Sequence, residues 1–251
     1  MNISKKDSAE LNIDASEIEK FSRIASEWWD PNGKFRPLHQ LGRIRLAYTL
    51  DRIGNQFTLD KTGPNSLDSL KIVDIGCGGG LICEPLARLG ANVTGIDPAG
   101  ENIKAARHHC ADQGLEIQYY DITVRELVEL GERFDVAVCL EVLEHVPDVE
   151  CFLKECRSLI NENGIIILST INRTLKSYAL AIVGAEYILR WLPAGTHNWN
   201  RFIKPDELSA ALVKAELTTK NITGLVYNPV LDNWALSDDT DVNYFATAAL
   251  S

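Results

Sequence analysis

From Leu70 onward the chain alternates short apolar, β-rich runs with stretches whose apolar residues return every three or four positions. The runs read as buried strands and the stretches as helices, so their alternation predicts a parallel sheet with crossover helices. Strands are expected at Leu70–Ile75, Asn92–Ile96, Glu116–Tyr120, Phe134–Cys139 and Gly164–Ser169, with helices near Leu81–Leu89, Ala99–Asp112, Thr123–Leu130 and Val149–Leu159 between them. A helix at Pro205–Lys214 and two late strands, Thr218–Val226 and Asp241–Ala248, close the pattern. Upstream, Asp14 and Glu17 form a capping box for a helix whose apolar face is Ile18, Phe21, Ile24, Ala25 and Trp28. Phe35–His39 reads as a rigid loop, Leu41–Ile53 as a second helix, and Asn55–Ser69 as a polar connector. The whole reads as one domain over residues 1–251, with a helical cap and connector (1–69), a core (70–170), an insertion (171–204) and a closing helix with strands (205–251).

The first strand ends in Asp74-Ile75-Gly76-Cys77-Gly78-Gly79-Gly80, and the second ends in Asp97. A strand, a turn poor in side chains, a helix and a strand tipped by a carboxylate make half of a nucleotide-binding crevice. Asp97 can accept hydrogen bonds from both hydroxyls of a ribose, and the glycines let backbone and ligand approach. A dinucleotide fingerprint needs G-x-G-x-x-G, whereas Leu81 stands where its third glycine belongs. Asp74 would also repel a pyrophosphate, which weighs against a nicotinamide dehydrogenase and favours a cationic ligand. The spacing resembles the D-x-G-x-G-x-G motif of class I S-adenosylmethionine methyltransferases, whose acidic residue faces the methionine part of the ligand.

Composition narrows the field. A net charge of −10 argues against nucleic acid as the main partner, because phosphate binding needs a basic face. The six cysteines include no C-x-x-C pair, which favours buried reduced thiols over zinc ligands. No run of 18 apolar residues exists, and the first residues resemble neither a secretory signal nor a transit peptide, so a cytoplasmic location is expected.

Chemistry is expected beyond the strand ends, where an open sheet of this kind binds ligands. Asp121 can reach an adenine amino group or be a solvated loop carboxylate. Leu140 can pack on the ligand or belong to the core. Glu141, Glu144 and His145 then follow within five residues. Methyl transfer from a sulfonium asks the protein to position an acceptor and remove its proton. An imidazole titrates near working pH and can take a phenolic proton. Alternatively, the three side chains can hold a divalent cation that acidifies a catechol hydroxyl. Trp28, Trp29 and Phe35 either wall the acceptor or pin the cap to the core.

Several less generic segments point further. They are Ala25–Asp30, Phe35–His39, Asn172–Ser177, Val183–Arg190, Pro193–His197, Phe202–Pro205, Ile222–Pro229 and Asp241–Tyr244. With the glycine motif they resemble the O-methyltransferases of ubiquinone biosynthesis from about Ile18 to Tyr244. The resemblance implies a Rossmann-like class I methyltransferase fold, with seven mostly parallel strands and the last antiparallel. It implies S-adenosylmethionine bound by Arg45, Gly76, Asp97 and Leu140, alongside Asp74, Gly78 and Asp121 from the strand ends. It also implies a magnesium ion held by Glu141, Glu144 and His145, with His145 as the residue that acts on the acceptor. Arg45 fits independently, because a guanidinium can clamp a methionine carboxylate bidentately.

The acceptor so implied is a polyprenylated phenol or quinol, which lives in a bilayer. Residues 171–204 carry Arg173, Lys176, Arg190, Arg201 and Lys204 against the single acid Glu186, with Tyr178, Tyr187 and Trp191 among apolar neighbours. Such a segment suits an anionic membrane surface, peripheral on the inner face of the cell membrane, or a lid over the acceptor. A soluble phenol as acceptor, and a cofactor-binding scaffold role in a complex of quinone-synthesis enzymes, are the alternatives.

Overall fold

Strands β1 (Lys71–Ile75) and β2 (Asn92–Ile96) each bury four consecutive side chains after an exposed first residue. Continuous burial of this kind requires cover on both faces of a sheet. The computed structural model describes residues 12–31, 33, 35–59, 66–182, 198–228 and 233–250. Its sheet adds β3 (Gln118–Tyr120), β4 (Phe134–Leu140), β5 (Ile160–Ile171), β6 (Leu217–Asn228), β7 (Asn233–Ser237) and β8 (Asn243–Leu250). The spatial order is β3-β2-β1-β4-β5-β8-β6-β7. Strands β1 to β5 pair in parallel, β8 lies antiparallel between β5 and β6, and β7 pairs antiparallel with β6.

Successive strand residues face opposite sides and build two cores. Ile72, Val136, Val138, Ile165 and Ile167 pack under α2 (Arg36–Gln56), α3 (Cys83–Arg88) and α4 (Gly100–Asp112), whose contributions include Tyr48, Leu86 and Ile103. Val73, Ile75, Ala137, Ile166 and Leu168 pack under α5 (Val124–Glu129), α6 (Val149–Leu159) and α7 (Pro205–Lys214) through Leu127, Leu153 and Leu212. Strand order reverses between β1 and β4, so a crevice opens beyond the carboxyl ends of those strands.

Three expectations need correction. The sheet has eight strands rather than seven, because it includes β7, an edge strand with a largely exposed pattern and hence little apolar signal. The second helix starts at Arg36 rather than Leu41, since Pro37 sits in its first turn, where a missing N–H costs nothing. The first helix, α1 (Ala15–Ser22), is shorter than its apolar periodicity suggests and gives way to a 3₁₀ turn at Ala25–Glu27. Its N-cap holds, with the Asp14 side chain accepting from the Ser16 N–H (3.0 Å), but Glu17 does not complete the box.

Candidate functional site

One cavity of about 680 Å³ opens at the reversal point. At one end lie Gly76, Gly78, Asp97, Arg45 and Leu140. Gly76 and Gly78 have φ of +70° and +53°, a region that side chains disfavour. The space a Cβ would need at these glycines is already taken. At Gly78 it would meet the Trp28 ring at 2.3 Å, and at Gly76 it would meet Val142 at 2.5 Å. The glycines therefore admit packing of the cap as well as any ligand.

Asp97 is buried at the tip of β2. Its Oδ2 accepts from the Gly78 N–H (3.0 Å), and its Oδ1 accepts from the Ala99 N–H (2.8 Å) and from Asn102 Nδ2 (3.3 Å). Burial pushes its carboxyl up to about 6, against the pull of those donors. Asp74 lies beneath the turn rather than on the cavity wall and accepts from Cys83 Sγ (3.1 Å). Burial pushes it up to about 7, with the charge of Asp97 adding to the effect. Asp121 is exposed past β3 and stands outside the cavity lining.

Arg45 projects from α2 and is buried, with Nη2 3.4 Å from Glu141 Oε1. Its Nε and Nη2 make no hydrogen bond within the protein. The Glu141 carboxylate offsets the charge of this buried guanidinium without hydrogen-bonding its Nε or Nη2.

Beside Arg45, β4 runs into Glu141, a non-glycine residue at φ +56°, and then a 3₁₀ turn at Leu143–His145 leads to the other end. Glu141 Oε1 accepts from Ser169 Oγ (2.7 Å). Glu144 is buried, and its Oε2 accepts from Thr170 Oγ1 (2.8 Å). Burial and then the Glu141 charge push its carboxyl up to about 8. His145 Nδ1 meets Glu17 Oε2 at 2.8 Å, and its ring stands edge-on to Phe21 at 5.4 Å. Burial would raise the Glu17 carboxyl, but the hydrogen bond and charge of His145, with Lys20, hold it below its ordinary value.

The magnesium assignment is therefore not met by the geometry. Glu141, Glu144 and His145 engage Ser169, Thr170 and Glu17 respectively. Among the described residues no three His, Cys, Asp or Glu side chains gather into a metal site. Glu141 and Glu144 stay close enough for the charge of one to raise the carboxyl of the other, while His145 turns to the cap.

Of the cap aromatics, Trp28 stacks on Phe35 at 3.7 Å and lies on the glycine turn. Trp29 Nε1 donates to the Gly79 carbonyl (3.0 Å). They pin the cap to the core, while Trp28 and Phe35 also line the cavity. Sequence reasoning missed Asn102, the cavity role of Glu17, and Trp234, a wall residue on β7 whose Nε1 is buried without a partner. A polar residue at a buried helical position was the available signal for Asn102. Much of the basic insertion, residues 183–197, lies outside the described residues. In its described part Leu175, Tyr178 and Leu180 are exposed.

Comparison with known proteins gives concordant results. Residues 44–220 match a family model described as a methyltransferase domain. A ubiquinone biosynthesis O-methyltransferase of Brucella anthropi is 51% identical over 242 residues, covering 96% of this chain and 98% of its own. One of a Chelativorans species is 49% identical over 236 residues, covering 94% and 93%. Among solved structures, the magnesium protoporphyrin IX methyltransferase of Synechocystis PCC 6803 with bound SAH superposes with a TM-score of 0.64 at 20% identity, covering 97% of each chain.

Proposed function

The chain belongs to the ubiquinone biosynthesis O-methyltransferases, and from that premise we propose that it methylates a ring hydroxyl of polyprenylated catechol and demethylubiquinol intermediates. The methyl donor in this reading is S-adenosylmethionine, which supplies a sulfonium methyl for in-line displacement by the acceptor oxygen. The observation that carries the reading is one cavity lined by Asp97, the glycine turn, Arg45 and His145.

The donor fits the groups present. Asp97 has an acceptor site left for a ribose hydroxyl, and Arg45 brings a guanidinium to the same cavity wall, where an amino-acid carboxylate can meet it. The buried Asp74 and Asp97 favour a cation nearby. At the acceptor end Glu17 meets His145 Nδ1, and His145, which lines the cavity, is the side chain that takes the hydroxyl proton. Phe21, Ile18 and Val146 line that end with apolar surface suited to an aromatic ring.

Calorimetric titration with S-adenosylhomocysteine and with NADH tests the donor, with heat expected from the first alone. Turnover on a prenylated catechol beside a water-soluble one tests the acceptor, and a chelator arm separates a metal-assisted reaction from His145 acting alone. A preference for the soluble catechol would sink the tail assignment.

A prenylated acceptor requires access to lipid, so residues 171–204 are proposed to touch an anionic membrane surface on its cytoplasmic side. The exposed Leu175, Tyr178 and Leu180 support this. No helix among the described residues is long and apolar enough to cross a membrane. Flotation with anionic vesicles, compared between the natural chain and one with Tyr178, Arg190 and Trp191 replaced, checks it.

A further inference from the structure

The N-terminal cap reaches both ends of the cavity through hydrogen bonds. At the donor end Trp28 Nε1 donates to Asn102 Oδ1 (2.8 Å), and the same amide's Nδ2 donates to Asp97 Oδ1 (3.3 Å). Both residues are buried, so water does not readily replace either bond. Beside them Trp29 stacks on His109 at 3.5 Å, and His109 Nδ1 meets the buried Glu84 at 2.6 Å. At the acceptor end the same cap supplies Glu17 to His145. Glu17 and Trp28 belong to one short segment, α1 and the turn after it, which lies against α4.

Asp97 makes this connection consequential. A carboxylate offers about four lone-pair sites, and the donors on Gly78, Ala99 and Asn102 occupy three of them. A ribose diol asks for two. It therefore competes with Asn102, the one donor of the three that is a rotatable side chain. When that amide turns from Asp97, its carbonyl turns from the Trp28 indole as well.

We propose that Asn102 and Trp28 are positioning residues that transmit occupancy of the donor site through the cap to Glu17, and so to the orientation of His145. The inference rests on the reading that a ribose binds at Asp97. It orders the reaction: the donor enters first, and the acceptor meets His145 in a setting that a loaded donor site has defined.

The test follows amide hydrogen exchange in α1 while S-adenosylhomocysteine is titrated into the natural chain, Asn102→Ala and Trp28→Phe, with affinity measured alongside by calorimetry. Trp28→Phe keeps a ring to stack on Phe35 and removes the indole donor together with part of the ring over Gly78, so Asn102→Ala, which leaves that ring in place, is the control for lost packing. In the natural chain the ligand is expected to change α1 exchange by about fivefold or more, while both variants bind it and respond by less than about twofold. A second readout is the effect on kcat of Trp28→Phe and Glu17→Gln, singly and together. Wired residues give a double variant no worse than the worse single one, whereas independent residues multiply. Equal α1 responses in all three chains, multiplying effects, or a natural chain that binds the ligand with α1 unmoved would each overturn the coupling. A natural chain that takes up no S-adenosylhomocysteine would overturn the donor assignment as well.

Discussion

At the donor end of the cavity, Gly76, Gly78 and Asp97 stand on the tips of neighbouring strands β1 and β2, and Asp97 is fixed by two backbone amides from within its own βαβ unit. At the acceptor end, His145 is met by Glu17 from 128 residues earlier, and the wall is completed by Leu225 and Trp234 from the β6–β7 pair. The first end is assembled by local chain order and buried hydrogen bonds. The second is assembled by distant segments brought together on the surface of the same sheet. This contrast implies a donor site framed by local backbone, with Asn102 as its movable donor, and an acceptor site whose geometry depends on how the cap docks.

The comparison predicts a division of labour that substitutions can break. The largest effect is expected for His145→Gln, with kcat reduced by about 10²- to 10⁴-fold and S-adenosylhomocysteine affinity unchanged in calorimetry. A weakened donor affinity in that variant would mean the two ends are not separable. Asp97→Ala is expected to act the other way, weakening S-adenosylhomocysteine by about 100-fold through loss of charge-assisted bonds to the ribose.

Asp74→Asn sharpens the donor side through pH. The folded-state value of Asp74 is about 7, above the ordinary 3.8, because burial disfavours the charged form. Below about pH 4 both folded and unfolded chains hold the proton and no penalty exists. Between pH 4 and 7 the unfolded chain releases it first, so stability falls as pH rises and the penalty is complete above pH 7. The variant should therefore be more stable than the natural chain at pH 8, by roughly 2–4 kcal/mol, and no more stable at pH 4. Denaturant melts at the two pH values check this. The same variant should bind S-adenosylmethionine more weakly, since a cation loses its neighbouring charge. The smallest effect is expected for Glu17→Gln, about tenfold or less in kcat with donor affinity retained, because the amide still bonds the imidazole but no longer stabilises its charged form.

The same contrast explains what could be read in advance. Strands β1 to β5, the glycine turn and Asp97 follow from apolar runs and local spacing, because adjacent strands carry adjacent parts of the site. Strand β7 escaped, since an exposed edge strand needs little apolar periodicity. Glu141, Glu144 and His145 are close in sequence, yet each engages a partner from elsewhere in the fold, Ser169, Thr170 and Glu17, and His145 turns to the cap while the two carboxyls stay together.

By itself, the sequence determined the order of strands and helices, the chemistry available at the strand ends and the family to which the chain belongs. Hydrophobic periodicity and backbone sterics act over a few residues, and a sequence states them directly. Only the tertiary structure decided that Trp28 fills the space above Gly78, that Asn102 joins Asp97 to the cap, and that Glu17 serves His145 instead of capping its own helix. Those choices depend on which buried polar groups find partners across the fold, and no local rule along the chain fixes that pairing.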